Sequence, residues 1–192
     1  TVDVKGDQLI KVVGDLTAKK SIQASAPLNS TEAVQVFWDD FETDKGWTRN
    51  PNGSDTAIGG LWERANPEDT NLNGPKQLGT TVSGSYDLVT GPLAGLLANS
   101  NDIDDGVTSI ISPQIPLPAD HQLTLSLYYY FAHTVNSTSE DYLRITVVGN
   151  TSVQVFEEVG HIENDDAAWS NLTVDISAFS GQTVRILVAA AD

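Results

Sequence analysis

The chain has 192 residues, with 26 acidic and 10 basic side chains and a formal net charge of -16. A surface of this sign repels phosphate backbones and anionic lipid headgroups, which argues against nucleic acid and anionic membranes as partners. No apolar run approaches the ~20 residues that cross a bilayer, so we expect no membrane span. Cysteine is absent, which excludes disulfides and thiolate metal sites.

The first 33 residues differ in composition from the rest of the chain. They contain four of the six lysines and no aromatic residue. Apolar residues at 2–4 and 9–13 allow one or two short strands, and 25–31 has the composition of a linker. We therefore interpret 1–33 as an extended N-terminal arm with a possible edge or donor strand, and 34–192 as the main domain.

The main domain has the pattern of β-structure. Residues 123–131, LTLSLYYYF, alternate between apolar and polar side chains, as in a half-buried antiparallel strand. The irregular segment 43–106 is long for a connection and must contain short strands of its own or a ligated loop. Short strands separated by turn residues predict an antiparallel β-sandwich. Further strands are predicted at 34–42, 107–117, 141–149, 151–159, 170–179 and 183–191.

No catalytic motif is present. The three histidines, His121, His133 and His161, lack the spacings of metallopeptidase zinc sites, and there is no nucleophile elbow, P-loop or dinucleotide-binding motif. We expect His133 to lie at a strand end rather than to act as a catalyst. The chain is therefore predicted not to be an enzyme.

Calcium is the cofactor that the acidic residues favour, because it takes six to eight oxygen ligands from carboxylates, amides and carbonyls. Two acidic clusters have the right chemistry: Asp39, Asp40, Glu42 and Asp44, and then Asn101, Asp102, Asp104 and Asp105. Asp141 and Asp192, each at a predicted strand end, are further candidate ligands. The alternative is that all these acids only solubilise turns.

The aromatic residues suggest a carbohydrate-binding surface. Trp47 and Trp62 are candidate ligand-binding residues, because exposed indoles stack on sugar rings. The alternative is that Trp38 and Trp62 are core residues, as large apolar side chains usually are.

Several separated motifs of the main domain occur in a characteristic order: VFWDDFETDKGW, GLWERANPEDT, GPKQLGTTVSGSYDLVTG, NDIDDGVTSIISPQI, LTLSLYYYFAH, DYLRITVVG and TVRILVAAAD. In these motifs the chain resembles the accessory jelly-roll domains, similar to MAM and carbohydrate-binding sandwiches, of bacterial secreted zinc carboxypeptidases and related exported peptidases. The resemblance covers about 34–192 and omits the arm.

This resemblance implies a jelly roll, secretion, and a calcium ion near the first and last strands. By position it nominates Asp40 and Glu42, with Asp105 and Asp141 as additions. In the family, a motif like AAAD is followed by a closing strand, whereas this sequence stops at Asp192. We therefore expect one strand position in the sheet to be unfilled by the main domain, and we expect the arm to fill it, either within the molecule or from a neighbour. The family's zinc-ligand motifs are missing, so no catalytic residue is implied.

The sequence thus predicts a non-catalytic, calcium-stabilised accessory β-sandwich of a secreted bacterial protein, with a parent catalytic domain or an extracellular polymer or glycan as partner. One alternative is a strand-donating subunit of an extracellular fibre or surface layer, which self-associates through the arm. The other is a carbohydrate-binding module.

Overall fold

The computed structural model describes residues 8–11, 22–24 and 34–192, and the side chains from residue 35 onward. This part of the chain is all-β, apart from one 3₁₀ turn at Ser177–Phe179. None of the described residues belongs to a helix with the length and apolar character needed to span a membrane. The strands are β1 Gln8–Lys11, β2 Ile22–Ala24, β3 Val34–Phe37, β4 Thr48–Arg49, β5 Trp62–Ala65, β6 Thr70–Asn71, β7 Pro75–Gln77, β8 Asp87–Thr90, β9 Val107–Ile111, β10 Ile115–Pro116, β11 Leu123–Phe131, β12 Tyr142–Val148, β13 Ser152–Val159, β14 Ser170–Asp175 and β15 Thr183–Ala191.

The strands form two main antiparallel sheets. The first contains β3, β2, β11, β1, β8 and β5 in that order, and β14 pairs with the other edge of β11. The second contains β13, β12, β15, β9 and β4, with β10 on one end of β15. A separate two-stranded ribbon joins β6 to β7. The predicted all-β antiparallel architecture is confirmed.

The described pieces of the arm pair within the chain. Strand β1 lies between β11 and β8, with Gln8 opposite Phe131 and Leu9 opposite both Tyr130 and Val89. Strand β2 follows along the same edge of β11 and also pairs with β3. The first sheet is therefore completed by N-terminal residues of the same molecule.

A continuous apolar core joins the two sheets into a sandwich. Strand β12 alternates strictly between buried and partly exposed residues, and β15 does so up to Ala190, as expected for period-two strands on a one-sided core. The central strand β11 contributes Leu123, Leu125, Leu127 and Phe131 to the same cluster. Each fully buried leucine or isoleucine contributes roughly 1.5–3 kcal/mol. The second sheet supplies Leu143, Ile145, Val147, Ile186 and Val188.

The opposite face of the first sheet is partly covered as well. Tyr130 is 2% exposed and packs with Val89, Ala132 and Ala167 in a second cluster. Its ring meets Trp169 edge-on at 4.8 Å between centroids, and its hydroxyl accepts the Leu78 N–H at 3.1 Å. The loops around residues 65–78 and 160–169 therefore form a partial third layer over the sheet.

Candidate functional site

The segment that follows β3 is organised around a buried carboxylate. Asp39 is fully buried, and its two oxygens accept hydrogen bonds from the Phe41 amide and from the indole Nε1 of Trp47, both at 2.9 Å. Phe41 takes a positive φ of 60° and is itself 1% exposed. The chain thus reverses direction tightly and returns Trp47 to a position beside the core.

Lys45 supplies the positive charge near this carboxylate. Its Nζ lies 3.8 Å from Asp39 Oδ1 and 4.0 Å from the centroid of the Trp38 ring. Burial raises the pKa of Asp39, and the hydrogen bonds from Trp47 and Phe41 and the charge of Lys45 partly oppose that rise. Three groups therefore hold this acid, namely the Phe41 amide, the Trp47 indole and Lys45, and the acid in turn fixes the Trp47 ring.

Trp47 borders a cleft of about 310 Å³ between the edge strands of the two sheets, β4 and β5. Four of its seven lining residues are charged. On opposite strands, Arg49 Nη1 and Glu63 Oε1 lie 3.5 Å apart, and both side chains are about half exposed. The lining residues are Asp44, Trp47, Arg49, Trp62, Glu63, Arg64 and Ile110.

Arg64 is fixed on the far side of this cleft. Its guanidinium lies 4.2 Å from the centroid of the Tyr86 ring, and Nη2 donates to the Glu42 carbonyl at 2.9 Å. The cleft therefore combines the Trp47 indole, which Asp39 holds in place, with carboxylate and guanidinium groups that line its walls. Such a set can stack against an apolar ring face and hydrogen-bond to several hydroxyl groups together.

Trp62, the other candidate ligand-binding residue, is fully buried. Its indole Nε1 donates to the Thr108 carbonyl at 3.2 Å, so its only polar atom is used inside the protein. Trp62 forms the floor of the cleft and cannot present its ring face to a ligand. Trp62 is therefore a core residue, as the alternative interpretation of the sequence held. Trp47 remains the aromatic residue of the site.

Asp40 and Glu42 hold local backbone in place. Asp40 Oδ1 accepts the Glu42 amide at 3.2 Å. Glu42 Oε1 accepts the amides of Ser85 at 2.7 Å and Tyr86 at 2.9 Å, and it lies against Gly84. In this position Glu42 joins the loop after β3 to the loop before β8.

The other nominated acids lie elsewhere. Asp102 is buried beside Gly60, and the backbone of Asp104 bridges to Gly59, just before β5. Glu42, by contrast, contacts residues near the opposite end of β5. Asp102 and Glu42 are therefore separated by the length of this strand, and the six candidate calcium ligands do not form a single group.

Register brings the remaining three acids together at one end of the second sheet. Tyr142 pairs with Ala191, so Asp141 and Asp192 are neighbours at adjacent strand ends. Asp192 in turn exchanges backbone hydrogen bonds with Gly106, which follows Asp105. Asp141 Oδ2 already accepts the Ser137 hydroxyl at 2.8 Å and the Thr138 amide at 2.7 Å.

Within the described part of the chain, no three His, Asp or Glu side chains are arranged to hold a metal ion. The hydrogen bonds to Asp40, Glu42 and Asp141 show that these carboxylates have structural partners of their own. Calcium binding accordingly stays a prediction, to be tested by unfolding measurements.

A histidine pair lies at the end of β11, and the sequence did not indicate it. His133 follows the strand as expected but is fully buried, and its ring lies 4.8 Å from that of His161, edge to face. Its Nε2 is buried without a hydrogen-bond partner. Burial lowers the pKa of His133, and the neighbouring His161 adds to that effect. The pair forms because two loops that are distant in sequence meet in the fold, which no sequence spacing indicates.

Comparison with known proteins gave no match: no family model, curated protein or solved structure is significantly similar to this chain. Its functional interpretation therefore rests on its own residues.

Proposed function

We propose that this chain is a non-catalytic accessory β-sandwich of a secreted protein, and that it binds a hydroxyl-rich extracellular polymer, a glycan, in the Trp47 cleft. The observation that carries the proposal is the position of Trp47. The ring borders an open cleft, its Nε1 is held by Asp39, and charged side chains from both sheet edges line the same cleft.

The chemistry of the cleft suits a sugar ring. An indole offers an apolar face for the C–H groups of a pyranose, and its orientation is set before the ligand arrives. Arg49 and Glu63 provide donors and acceptors for hydroxyl groups, and their mutual ion pair is exposed and therefore weak. A ligand can replace that pair at little cost.

The size of the cleft also agrees with this ligand class. Its volume of about 310 Å³ lies at the lower end of the ~300–1,000 Å³ range of small-molecule sites. A site of this size accommodates a short stretch of polymer, and its open position between two sheet edges leaves room for the chain to continue on both sides. In the parent protein, such binding would hold a catalytic domain, for example that of an exported peptidase, near a surface or polymer.

The proposal is tested by applying the full chain to a glycan array and measuring positive ligands by calorimetry. We expect Trp47→Ala to abolish binding and Glu63→Gln, which leaves the indole in place, to weaken it about tenfold. Tyr142→Ala is the matched control, since Tyr142 is an aromatic residue on β12 whose ring contacts Arg144 outside the cleft. Circular dichroism of each variant checks the fold.

Two results would overturn the proposal. One is that no glycan or soluble polysaccharide binds the folded chain. The other is that binding survives in Trp47→Ala while Tyr142→Ala loses it, which would place the sugar site elsewhere.

A further inference from the structure

Five leucines on one side of the molecule are exposed to solvent. Leu96 is 98% exposed, Leu97 68% and Leu93 59%. Single exposed leucines are ordinary on protein surfaces, whereas a group of them on one face marks an interaction site. We call the five residues the leucine surface: Leu61, Leu72, Leu93, Leu96 and Leu97.

One loop, residues 91–101, connects the two halves of the leucine surface, because it borders two clefts. A cleft of about 460 Å³ lies between residues 69–72 and 94–99. A second cleft, of about 390 Å³, lies between residues 60–63 and residues 91–93 of the same loop, beside Asn101. Leucine side chains line both clefts, so the loop 91–101 separates two apolar depressions.

Hydrogen bonds hold this loop in shape. The Ala94 amide donates to Glu68 Oε2 at 2.9 Å, and the Asn101 side-chain amide donates to the Leu93 carbonyl at 3.0 Å. The Leu97 amide and the Ser100 hydroxyl oxygen are also 3.0 Å apart. The backbone that displays the leucines is therefore ordered before any partner arrives, which lowers the entropic cost of binding.

The charge around the clefts selects the partner. Among the described residues that line them, the charged side chains are acidic: Asp69 in the first cleft and Glu63 in the second. The whole chain carries a net charge of -16, so a second copy is repelled. The matching surface has apolar side chains to fill the clefts and positive charges to meet these acids.

We propose that the leucine surface docks a peptide segment of a partner protein in which apolar side chains are flanked by lysine or arginine. The apolar side chains enter the two clefts, and the basic side chains contact Asp69 and also Glu63, in exchange for its exposed pair with Arg49. This docking does not depend on sugar binding at Trp47, although Glu63 borders both sites.

The probe is a fluorescein-labelled octapeptide of alternating leucine and lysine, and binding to the full chain is followed by anisotropy in 0.15 M salt. We expect the double variant Leu96→Ser/Leu97→Ser to weaken binding at least tenfold. Val153→Ser is the matched control, since Val153 is a 46% exposed apolar residue on β13 in the other sheet. A serine–lysine peptide of equal charge should bind much more weakly than the leucine–lysine peptide.

A second variant tests the acidic side of the proposal. We expect Asp69→Asn to weaken binding of the leucine–lysine peptide and to reduce its dependence on salt, because one contact between opposite charges is removed. Trp47→Ala should leave peptide binding unchanged, which separates this test from that of the glycan site.

Three results would overturn the proposal. Equal binding of the leucine–lysine and serine–lysine peptides would show attraction by net charge alone. Binding of phosphatidylcholine vesicles that the double variant loses, with no peptide binding, would identify a lipid surface instead. Dimers in sedimentation that the double variant dissociates would identify a second copy of the chain as the occupant.

Discussion

The indole Nε1 of Trp47 donates a 2.9 Å hydrogen bond to Asp39, a carboxylate that is completely buried. A buried acid is stable only when its oxygens are satisfied and a counter-charge is near. Here the Phe41 amide and Lys45 complete the set. The orientation of the surface ring is therefore determined by an interaction inside the protein.

Removal of this acid should be costly. Asp39→Ala leaves the indole N–H, the Phe41 amide and the Lys45 charge without their acceptor, and we expect a loss of about 3 kcal/mol of unfolding free energy. The matched control, Asp40→Ala, removes a partly exposed neighbour with one local contact and should cost about 0.5 kcal/mol. Urea unfolding followed by tryptophan fluorescence measures both variants. Equal costs would contradict the role assigned to Asp39.

Substitution of Gly84 tests how much the Glu42 carboxylate contributes to stability. Gly84 has a φ of +66°, and an added Cβ would lie 2.2 Å from Glu42 Oε1. Gly53 has the same φ with nothing within 4 Å, so Gly53→Ala isolates the backbone cost, about 1–2 kcal/mol. We expect Gly84→Ala to cost a further 1–2 kcal/mol or so, because Glu42 must leave the amides of Ser85 and Tyr86. Thermal unfolding of the two variants gives the difference, and identical midpoints would show that Glu42 contributes nothing there.

His133 should make the fold sensitive to mild acid. Its folded-state pKa is lowered from 6.5 by burial, so the unfolded chain binds the proton more readily. Stability from this residue is full above pH 6.5 and falls as the pH drops from there towards the lower folded pKa, by at most about 1.4 kcal/mol per pH unit. Asp39 and Glu158, whose pKa values burial raises, contribute the opposite slope.

The difference between His133→Gln and the unchanged chain isolates the histidine from these acids. Urea unfolding of both chains at pH 7.5, 6.5 and 5.5 should show the steeper loss in the unchanged chain. His161→Gln, which changes the exposed member of the pair, should retain most of that loss. Parallel pH profiles for the unchanged chain and His133→Gln would contradict the prediction.

Calcium should raise the unfolding temperature if the sequence prediction of a calcium site is correct. A ligand at 100 times its Kd adds about 2.7 kcal/mol, which for a chain of this size is roughly a 5–10 °C shift. Calorimetric scans in calcium, magnesium and EDTA at matched ionic strength measure it. We expect the shift to fall in Asp105→Asn and Asp141→Asn. Identical scans in calcium and EDTA would show that the prediction is wrong.

The strands of the core could be predicted from period-two patterns, and β11 shows which part of the burial these patterns do not predict. The alternation correctly placed Leu123, Leu125, Leu127 and Phe131 on the core face. Tyr130 belongs to the opposite face of the strand, where this alternation predicts exposed side chains, yet it is almost fully buried against Trp169. Irregular loops provide that cover, and they carry no periodicity from which their position could be read.

The candidate site was only partly predictable, for a related reason. Phe37, Asp39 and Phe41 are two residues apart, which could have indicated that Asp39 faces inward between two apolar rings. The sequence prediction instead favoured Asp40, the neighbouring residue. Trp47 and Trp62 have similar sequence surroundings, but β5 directs Trp62 into the core, and only the packing of the two sheets distinguishes them.

The central position of β1 has a consequence for the order of folding during synthesis. Gln8 pairs with Phe131, so the first strand emerges from the ribosome long before its partner exists. At about 5–20 residues per second, the sequence separation of 123 positions between Gln8 and Phe131 corresponds to a delay of roughly 6–25 s. During that time β8 can already pair with β1, because β8 ends at Thr90, but the edge of β1 that β11 occupies stays unpaired. A nascent chain therefore exposes one unpaired strand edge, a feature that favours aggregation, until Phe131 has been translated.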